Sequence, residues 1–389
     1  MTPLEMQLKA RLADGSSMPF SSFMAAALYD REHGYYSQDK ARTGREGDFF
    51  TSVSVGSVFG QLMAGEFCRA WEQLDRPASF TITEAGANDG QFALDVLTWA
   101  QAHRPDFLAA LQYRIDEPLP GPARRQCEKL AAFAGKVSHD ATAAVAQGCY
   151  FANELLDAIP CRRVRWSGGR WVECHVALDA AGEFSWMEKD PEDSALKRRL
   201  AWLGTGFPEG YITEIAPAVA SQLRLAAGQL NQGYFFFADY GYPALDYYAA
   251  HRRTGTLRCY RAHRAHEDPF DHPGETDLTA HVDFSLAAQA AVGAGCQVLA
   301  FLDQARFLTG VAAPHLQAME ASGVPNPPAW QRQFQTLTHP AHLGQKFHFL
   351  VLGKKVEHLP PLPGLSFARH AAIPDLLDPV FASPDDEDA

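Results

Sequence analysis

The chain has 389 residues, 47% hydrophobic and 21% charged, enough to bury one or two cores and too apolar for wholesale disorder. Forty-six acidic against 34 basic residues leave a formal charge of −12, a poor balance for non-specific binding to nucleic acid or to a membrane surface, so no nucleic-acid partner is expected. Seven cysteines, an odd number with no CxxC pair, exclude a zinc-ribbon pattern and argue against a disulfide framework.

No apolar run reaches transmembrane length, and residues 1–11 carry neither a signal core nor transit-peptide character. The expectation is a cytoplasmic protein without membrane insertion. Residues 3–12 read as a short amphipathic helix. Phe20, Phe23, Met24, Ala27 and Leu28 keep helical spacing and predict a second helix that stops near Gly34. Residues 42–54, charged and glycine-bearing, read as an ordered loop. Val58, Phe59, Leu62, Met63, Phe67, Ala70, Trp71 and Leu74 then predict a long helix over 56–74.

Residues 80–84 are a short β-prone run, followed at once by the turn Gly86-Ala87-Asn88-Asp89-Gly90 and by helical spacing from Gln91 to Ala102, which Pro105 ends. Residues 113–117 predict a second strand, 122–133 a helix, 149–153 a third strand and 234–239 a fourth. The last is nearly all apolar, as a strand covered on both faces should be. This alternation predicts a parallel, doubly wound α/β sheet. Ser167-Gly168-Gly169 between β-prone flanks is a hairpin signal, so 161–210 reads as a β insertion. Residues 242–290 are rich in histidine and arginine and weakly periodic. Two more strands, 296–301 and 346–353, flank a helical stretch. Beyond Lys355 come six prolines and a closing acidic run, an extended or disordered tail.

The glycine turn is the first candidate site. A strand-to-helix turn leaves free N–H groups at the helix start. Gly86 and Gly90 permit close approach and positive φ, and Asn88 enters the left-handed region more readily than other non-glycine residues. The dinucleotide fingerprint GxGxxG would need a third glycine at 91 or 92, where Gln91 and Phe92 stand. Glu84, before the turn, would repel a pyrophosphate but suits a ligand carrying an ammonium group, such as the methionine end of S-adenosylmethionine. Glu117, at the next strand tip, can accept both ribose hydroxyls. The glycines alone would read as a tight βα turn; the two acids point to a nucleotide-type cofactor.

Asn153, Glu154 and Asp157 end the third strand, where open α/β sheets bind ligands. On a helical turn Glu154 and Asp157 would share a face. Paired carboxylates suit a guanidinium, always charged and with five donors in a planar fork, and one could accept the proton its nitrogen gives up. Helix capping by early acids accounts for the same residues equally well. His251, His263, His266, His272 and His281 lack metal-site spacing and read as solvated or hydrogen-bonded, so no metal is expected. Arg258, Arg261, His263 and Arg264 could form an anion- or partner-binding surface, and 277–283 a structured loop near the site.

Five segments together resemble the MidA-like family, which includes mitochondrial complex I assembly methyltransferases. They are Leu28-Tyr-Asp-Arg-Glu-His-Gly-Tyr-Tyr36, Gly44-Arg-Glu-Gly-Asp-Phe-Phe-Thr-Ser52, the turn from Glu84 to Gly90, Ala152-Asn-Glu-Leu-Leu-Asp-Ala-Ile-Pro160, and Gly255-Thr-Leu-Arg258 continuing through Pro273-Gly-Glu-Thr-Asp-Leu-Thr-Ala-His-Val-Asp-Phe284. The resemblance implies a class I methyltransferase (Rossmann-like) fold with a helical cap, S-adenosyl-L-methionine as cofactor, and arginine of a protein, such as a respiratory-chain subunit, as acceptor. By position it carries cofactor binding to Glu84, Gly86, Asn88, Gly90, Glu117 and Asn153. His139 and Asp140 would flank the adenine, and Gly44, Gly47, Asp48 and Thr51 would lie on a covering loop. Glu154 and Asp157 are the candidate catalytic carboxylates. Two departures mark a divergent branch: the family's Gly-Pro-Gly-Arg-Gly is here Gly86-Ala-Asn-Asp-Gly90, and its Thr-Ser-Pro is Thr51-Ser-Val53.

The expected organisation is a helical cap with the covering loop (1–75), a Rossmann-like core (76–245) holding the 161–210 insertion, a cap and substrate region (246–295), C-terminal core elements (296–355) and a proline-rich acidic tail (356–389). Two other functions fit the same residues: a small-molecule methyltransferase, and a non-catalytic assembly scaffold that keeps the fold.

Overall fold

The computed structural model describes residues 1–37, 51–140, 143–261, 264–369 and 372–378. In chain order the central strands are β1 (Phe80–Ala85), β2 (Leu111–Asp116), β3 (Val137–Ser138), β4 (Val145–Asn153), β5 (Leu230–Tyr242), β6 (Gln297–Asp303) and β7 (Phe347–Lys354). They lie across the sheet as 3-2-1-4-5-7-6. β7 is antiparallel to β5 and β6, and the remaining neighbours pair in parallel. Strand order reverses between β1 and β4, which opens a crevice beyond their carboxyl ends.

The apolar run in β5 shows why it is central. Tyr234, Phe236 and Ala238 enter one core, with helices Val58–Gln73, Gln91–His103 and Gln304–Ser322. Phe235 and Phe237 enter the opposite core, with helices Pro217–Gln229 and Phe284–Gly293. β4 divides the same way, Cys149 and Phe151 against Tyr150 and Ala152. Burying one phenylalanine contributes about 1.5–3 kcal/mol, so a strand apolar on both faces gains most with helices on each side.

Five short strands form an antiparallel sheet outside this core: Met18–Pro19, Arg162–Ser167, Arg170–Leu178, Phe184–Lys189 and Ile212–Ile215. Helices Pro3–Leu12 and Phe20–Tyr29 pack there, in a third core shared with Leu257, Cys259 and Leu278. A three-stranded sheet, Arg258–Arg261, Arg264–His266 and Asp277–Thr279, stands beside the crevice. β5 outruns the core, and its last residues, Gly241 and Tyr242, pair in parallel with Val282 and Asp283. Asp283 is ion-paired with the buried Arg199, accepts the Tyr248 hydroxyl at 2.8 Å, and caps helix Phe284–Gly293 through the Leu286 N–H at 3.0 Å.

The α/β doubly wound fold matches the sequence expectation, and several local readings change. The second helix stops at Tyr29 rather than near Gly34, because the Asp30 carboxylate takes the N–H groups of Glu32 and His33 and turns the chain. Pro105 follows one helix and also begins another, Pro105–Ala110, where its missing N–H costs nothing. Within the weakly periodic region a regular helix, Phe284–Gly293, forms from small apolar residues. The turn after Asn153 is not helical: Glu154 takes a left-handed φ of 53°.

Candidate active site

A cavity of about 1060 Å³ lies beyond the carboxyl ends of β1, β2, β4 and β5. Pockets for one small organic ligand run to about 300–1,000 Å³, so this one has room for a cofactor and part of an acceptor. Gly86, Ala87, Asn88 and Asp89 form one side of it. Gly86 and Gly90 have φ of 73° and 82°, and Asn88 has φ 47°, so all three adopt the left-handed conformation their residue types tolerate. Gly90 lies at the start of helix Gln91–His103 and does not line the cavity. A Cβ at Gly86 would sit 3.1 Å from Leu155 Cδ1, so the turn is also closed against the β4 tip.

Glu84, at the end of β1, is 4% exposed and accepts the Tyr113 hydroxyl at 2.6 Å. Burial pushes its pKa up to about 8, against the lowering effect of that hydrogen bond. Glu117 receives the Leu119 N–H at 2.9 Å and Gln126 Nε2 at 3.2 Å, and burial raises its pKa too. The same Gln126 amide donates to the Asn88 carbonyl at 2.8 Å, and its Oε1 lies 2.9 Å from His139 Nε2. This fully buried glutamine thus ties the glycine turn to the β2 tip, and helix position 126 gave no sign of that in the sequence. His139 and Asp140 follow β3 and are not among the residues lining the cavity; His139 bonds Gln126, which in turn holds the lining residues Asn88 and Glu117.

The β4 tip supplies Asn153, Glu154 and Asp157, all lining the cavity. Asn153 Nδ2 donates to Glu154 Oε1 at 2.8 Å, and the Glu154 N–H continues the strand ladder to the Ala238 carbonyl at 2.9 Å. What holds this turn is Asp239 of β5, a buried carboxylate that accepts the N–H groups of Leu156 at 2.8 Å and Asp157 at 3.3 Å. Left-handed geometry at a residue with a Cβ costs about 1–2 kcal/mol, and these bonds hold the strain in place. Burial, with the neighbouring Asp157, raises Glu154 to about 8. Burial likewise raises Asp157 to about 7. Among the described residues no cation is a leading influence on either group or on Glu84. Buried carboxylates of this kind in a cleft are what a positively charged ligand needs.

Thr51 lines the cavity and makes reciprocal hydrogen bonds with Ser54, while the buried Ser52 hydroxyl donates to Gln304 Oε1 at 2.9 Å. Gly44, Gly47 and Asp48 lie outside the described residues. The cavity is also lined by Tyr29, Tyr36, Tyr240, Tyr260 and Asp277, to which the sequence assigned no role, and by His281. Burial and nearby arginines hold His281 near pKa 4, so its imidazole is neutral at physiological pH. Among the described residues no group of histidine, cysteine, aspartate or glutamate could hold a metal, and no helix is long and apolar enough to cross a membrane.

A seven-stranded sheet in this order, with only β7 antiparallel, a glycine turn after β1 and acids at the tips of β1, β2 and β4, defines a class I S-adenosyl-L-methionine-dependent methyltransferase. A family model for S-adenosyl-L-methionine-dependent methyltransferases matches residues 62–302. The chain belongs to that family, in its MidA-like group, and its cofactor is S-adenosyl-L-methionine.

It is similar to a Burkholderia thailandensis protein whose crystal structure holds S-adenosyl-homocysteine: TM-score 0.84, 31% identity, 95% of this chain and 96% of that one. It is also similar to the mitochondrial protein arginine methyltransferase NDUFAF7 homolog of Drosophila melanogaster, at 26% identity over 94% of this chain and 88% of the relative. Human NDUFAF7 is 24% identical over 90% and 83%. These mitochondrial relatives overturn the cytoplasmic expectation. Unpaired cysteines fit any reducing compartment and never separated the two locations.

Proposed function

We propose that this methyltransferase modifies arginine in a protein acceptor, a respiratory-chain subunit being the class the family resemblance favours. The observation that carries the reading is the pair Glu154 and Asp157, on which no cation among the described residues is a leading influence, on the wall of the cavity that the glycine turn also lines. The names of the NDUFAF7 relatives support it.

The residues present fit the cofactor. Glu84, Gly86 and Asn88 would hold its methionine end, and Glu117 its ribose, with Gly90 shaping the turn from behind. Asn153 and Thr51 would line the site beside them, while His139 and Asp140, expected beside the adenine, stand off the cavity lining. When bound, S-adenosyl-L-methionine supplies an electrophilic methyl group. Glu154 and Asp157 orient the acceptor guanidinium, and one of them takes the proton its nitrogen loses. Tyr29, Tyr35 and Tyr36 and strands Arg258–Arg261 and Asp277–Thr279 would cover the site, whereas helices Val58–Gln73 and Phe284–Gly293, expected in the cap regions, and Leu362 and Leu376, expected in a tail, are packed in the two central cores.

The test is labelled methyl transfer onto respiratory-complex proteins, with the product residue identified by mass spectrometry. Methylarginine supports the reading. Label on lysine or on a small molecule refutes the arginine assignment. Calorimetry showing no binding of S-adenosyl-homocysteine would favour the scaffold reading instead.

A further inference from the structure

The small sheet beside the crevice is built to show one face to the cavity. Arg258 pairs with Thr279 and Tyr260 with Asp277, and all four line the cavity. Between them, Cys259 and Leu278 point the other way, into the third core. Strand alternation therefore fixes Asp277 on the cavity wall.

Two sets of contacts set Asp277 against the acidic turn. In the first, the Tyr36 hydroxyl donates to Asp277 Oδ1 at 3.0 Å and Oδ2 at 3.2 Å. The Tyr36 ring stacks on Tyr29 with centroids 5.5 Å apart, and the Tyr29 hydroxyl donates to the carbonyl of Ala158, next to Asp157, at 2.9 Å. In the second, the N–H of Ala280, three residues after Asp277, donates to the Asp157 carbonyl at 2.9 Å. Asp277, Glu154 and Asp157 all line the same cavity. Carboxylates gathered on one cavity repel, and a cation among them relieves that repulsion. The stacked tyrosines beside them offer a flat surface for a planar cation.

We infer that Asp277 is the acceptor-selecting residue of this methyltransferase: from the three-stranded sheet it supplies a third carboxylate to the cavity that Glu154 and Asp157 line, and receives there the acceptor's cationic group. The inference rests on the proposal of a cationic acceptor and goes beyond it in naming the residue that discriminates. Tyr36 is a positioning residue that aims this carboxylate.

The test uses the full chain loaded with S-adenosyl-homocysteine and three degenerate peptide pools with a central arginine, lysine or citrulline. Wild type is expected to bind a cationic pool at least tenfold more tightly than the citrulline pool. Asp277→Asn should lose most of that preference while its affinity for S-adenosyl-homocysteine stays within twofold. In methyl transfer its KM should rise more than its kcat falls. Tyr36→Phe should lose part of the preference, and Asp277→Glu should retain part of it. Should Asp277→Asn fail to fold, Tyr36→Phe provides the reading. Unchanged preference in both variants overturns the inference. So does a parallel loss of S-adenosyl-homocysteine affinity, which would assign Asp277 to the cofactor, or a wild type indifferent to peptide charge. A lysine preference that Asp277→Asn abolishes would leave the inference standing and refute the arginine reading.

Discussion

The Tyr113 hydroxyl of β2 donates a 2.6 Å hydrogen bond to Glu84 Oε2 at the end of β1, with both groups buried beside the glycine turn. Replacing Glu84 by alanine is expected to weaken S-adenosyl-homocysteine binding at least tenfold, about 1.4 kcal/mol. Tyr113→Phe removes one hydrogen bond to that carboxylate and should weaken binding less than Glu84→Ala does. Calorimetric titration checks both. An unchanged affinity in Glu84→Ala removes that residue from the site.

The raised carboxylates give the ligand-free protein a pH dependence of defined sign. Glu84 and Glu154 titrate near 8 and Asp157 near 7, all above their unfolded values. Between about pH 4.5 and 8 the folded chain therefore keeps protons that the unfolded chain has released. Stability is largest at the acid end of this window and falls as pH rises, by up to about 1.4 kcal/mol per pH unit per group. Thermal melting across the window should show this fall, and Glu84→Gln should flatten it. A melting temperature that rises towards pH 8 contradicts it.

Glu154→Gln and Asp157→Asn keep the shape of the turn and remove its charge. Loss of a positioned proton acceptor typically costs about 10²-fold or more. Single-turnover methyl transfer should slow by that order in at least one variant, with S-adenosyl-homocysteine affinity nearly constant. Wild-type rates in both would move the chemistry elsewhere in the cavity.

Arg199 and Asp283 form an ion pair in which both side chains are under 10% exposed. Arg199→Ala leaves a buried charge to which, among the described residues, only the Tyr248 hydroxyl and the Leu286 N–H still donate. The expected loss is about 3–5 kcal/mol of stability, read from urea unfolding. A loss below 1 kcal/mol would mean that water reaches Asp283.

The parts legible in the sequence are those with local causes. The β5 run is apolar because both its faces are covered, and the turn after β1 needs residues that tolerate positive φ; both patterns stand in the sequence as printed. The parts missed rest on distant partners. A helical turn after Asn153 was reasonable from spacing, but Asp239, 82 residues beyond Asp157, holds the backbone in another shape. Gln126 resembles any helix glutamine until Asn88, Glu117 and His139 converge on it. Asp277 was visible as part of a motif, yet its direction depends on the pairing with Tyr260.

The overrun of β5 has a mechanical consequence. Gly241 and Tyr242 continue, without a break, the strand that also carries Phe235 and Phe237 in the core, and they hydrogen-bond directly to Val282 and Asp283. Helix Phe284–Gly293, which follows at once, returns to pack on that same core. The segment behind the acceptor wall is thus anchored like a beam built into masonry at both ends. Its amides should exchange with solvent at rates close to those of the central sheet, so this segment is expected to stay in place when ligands enter and leave.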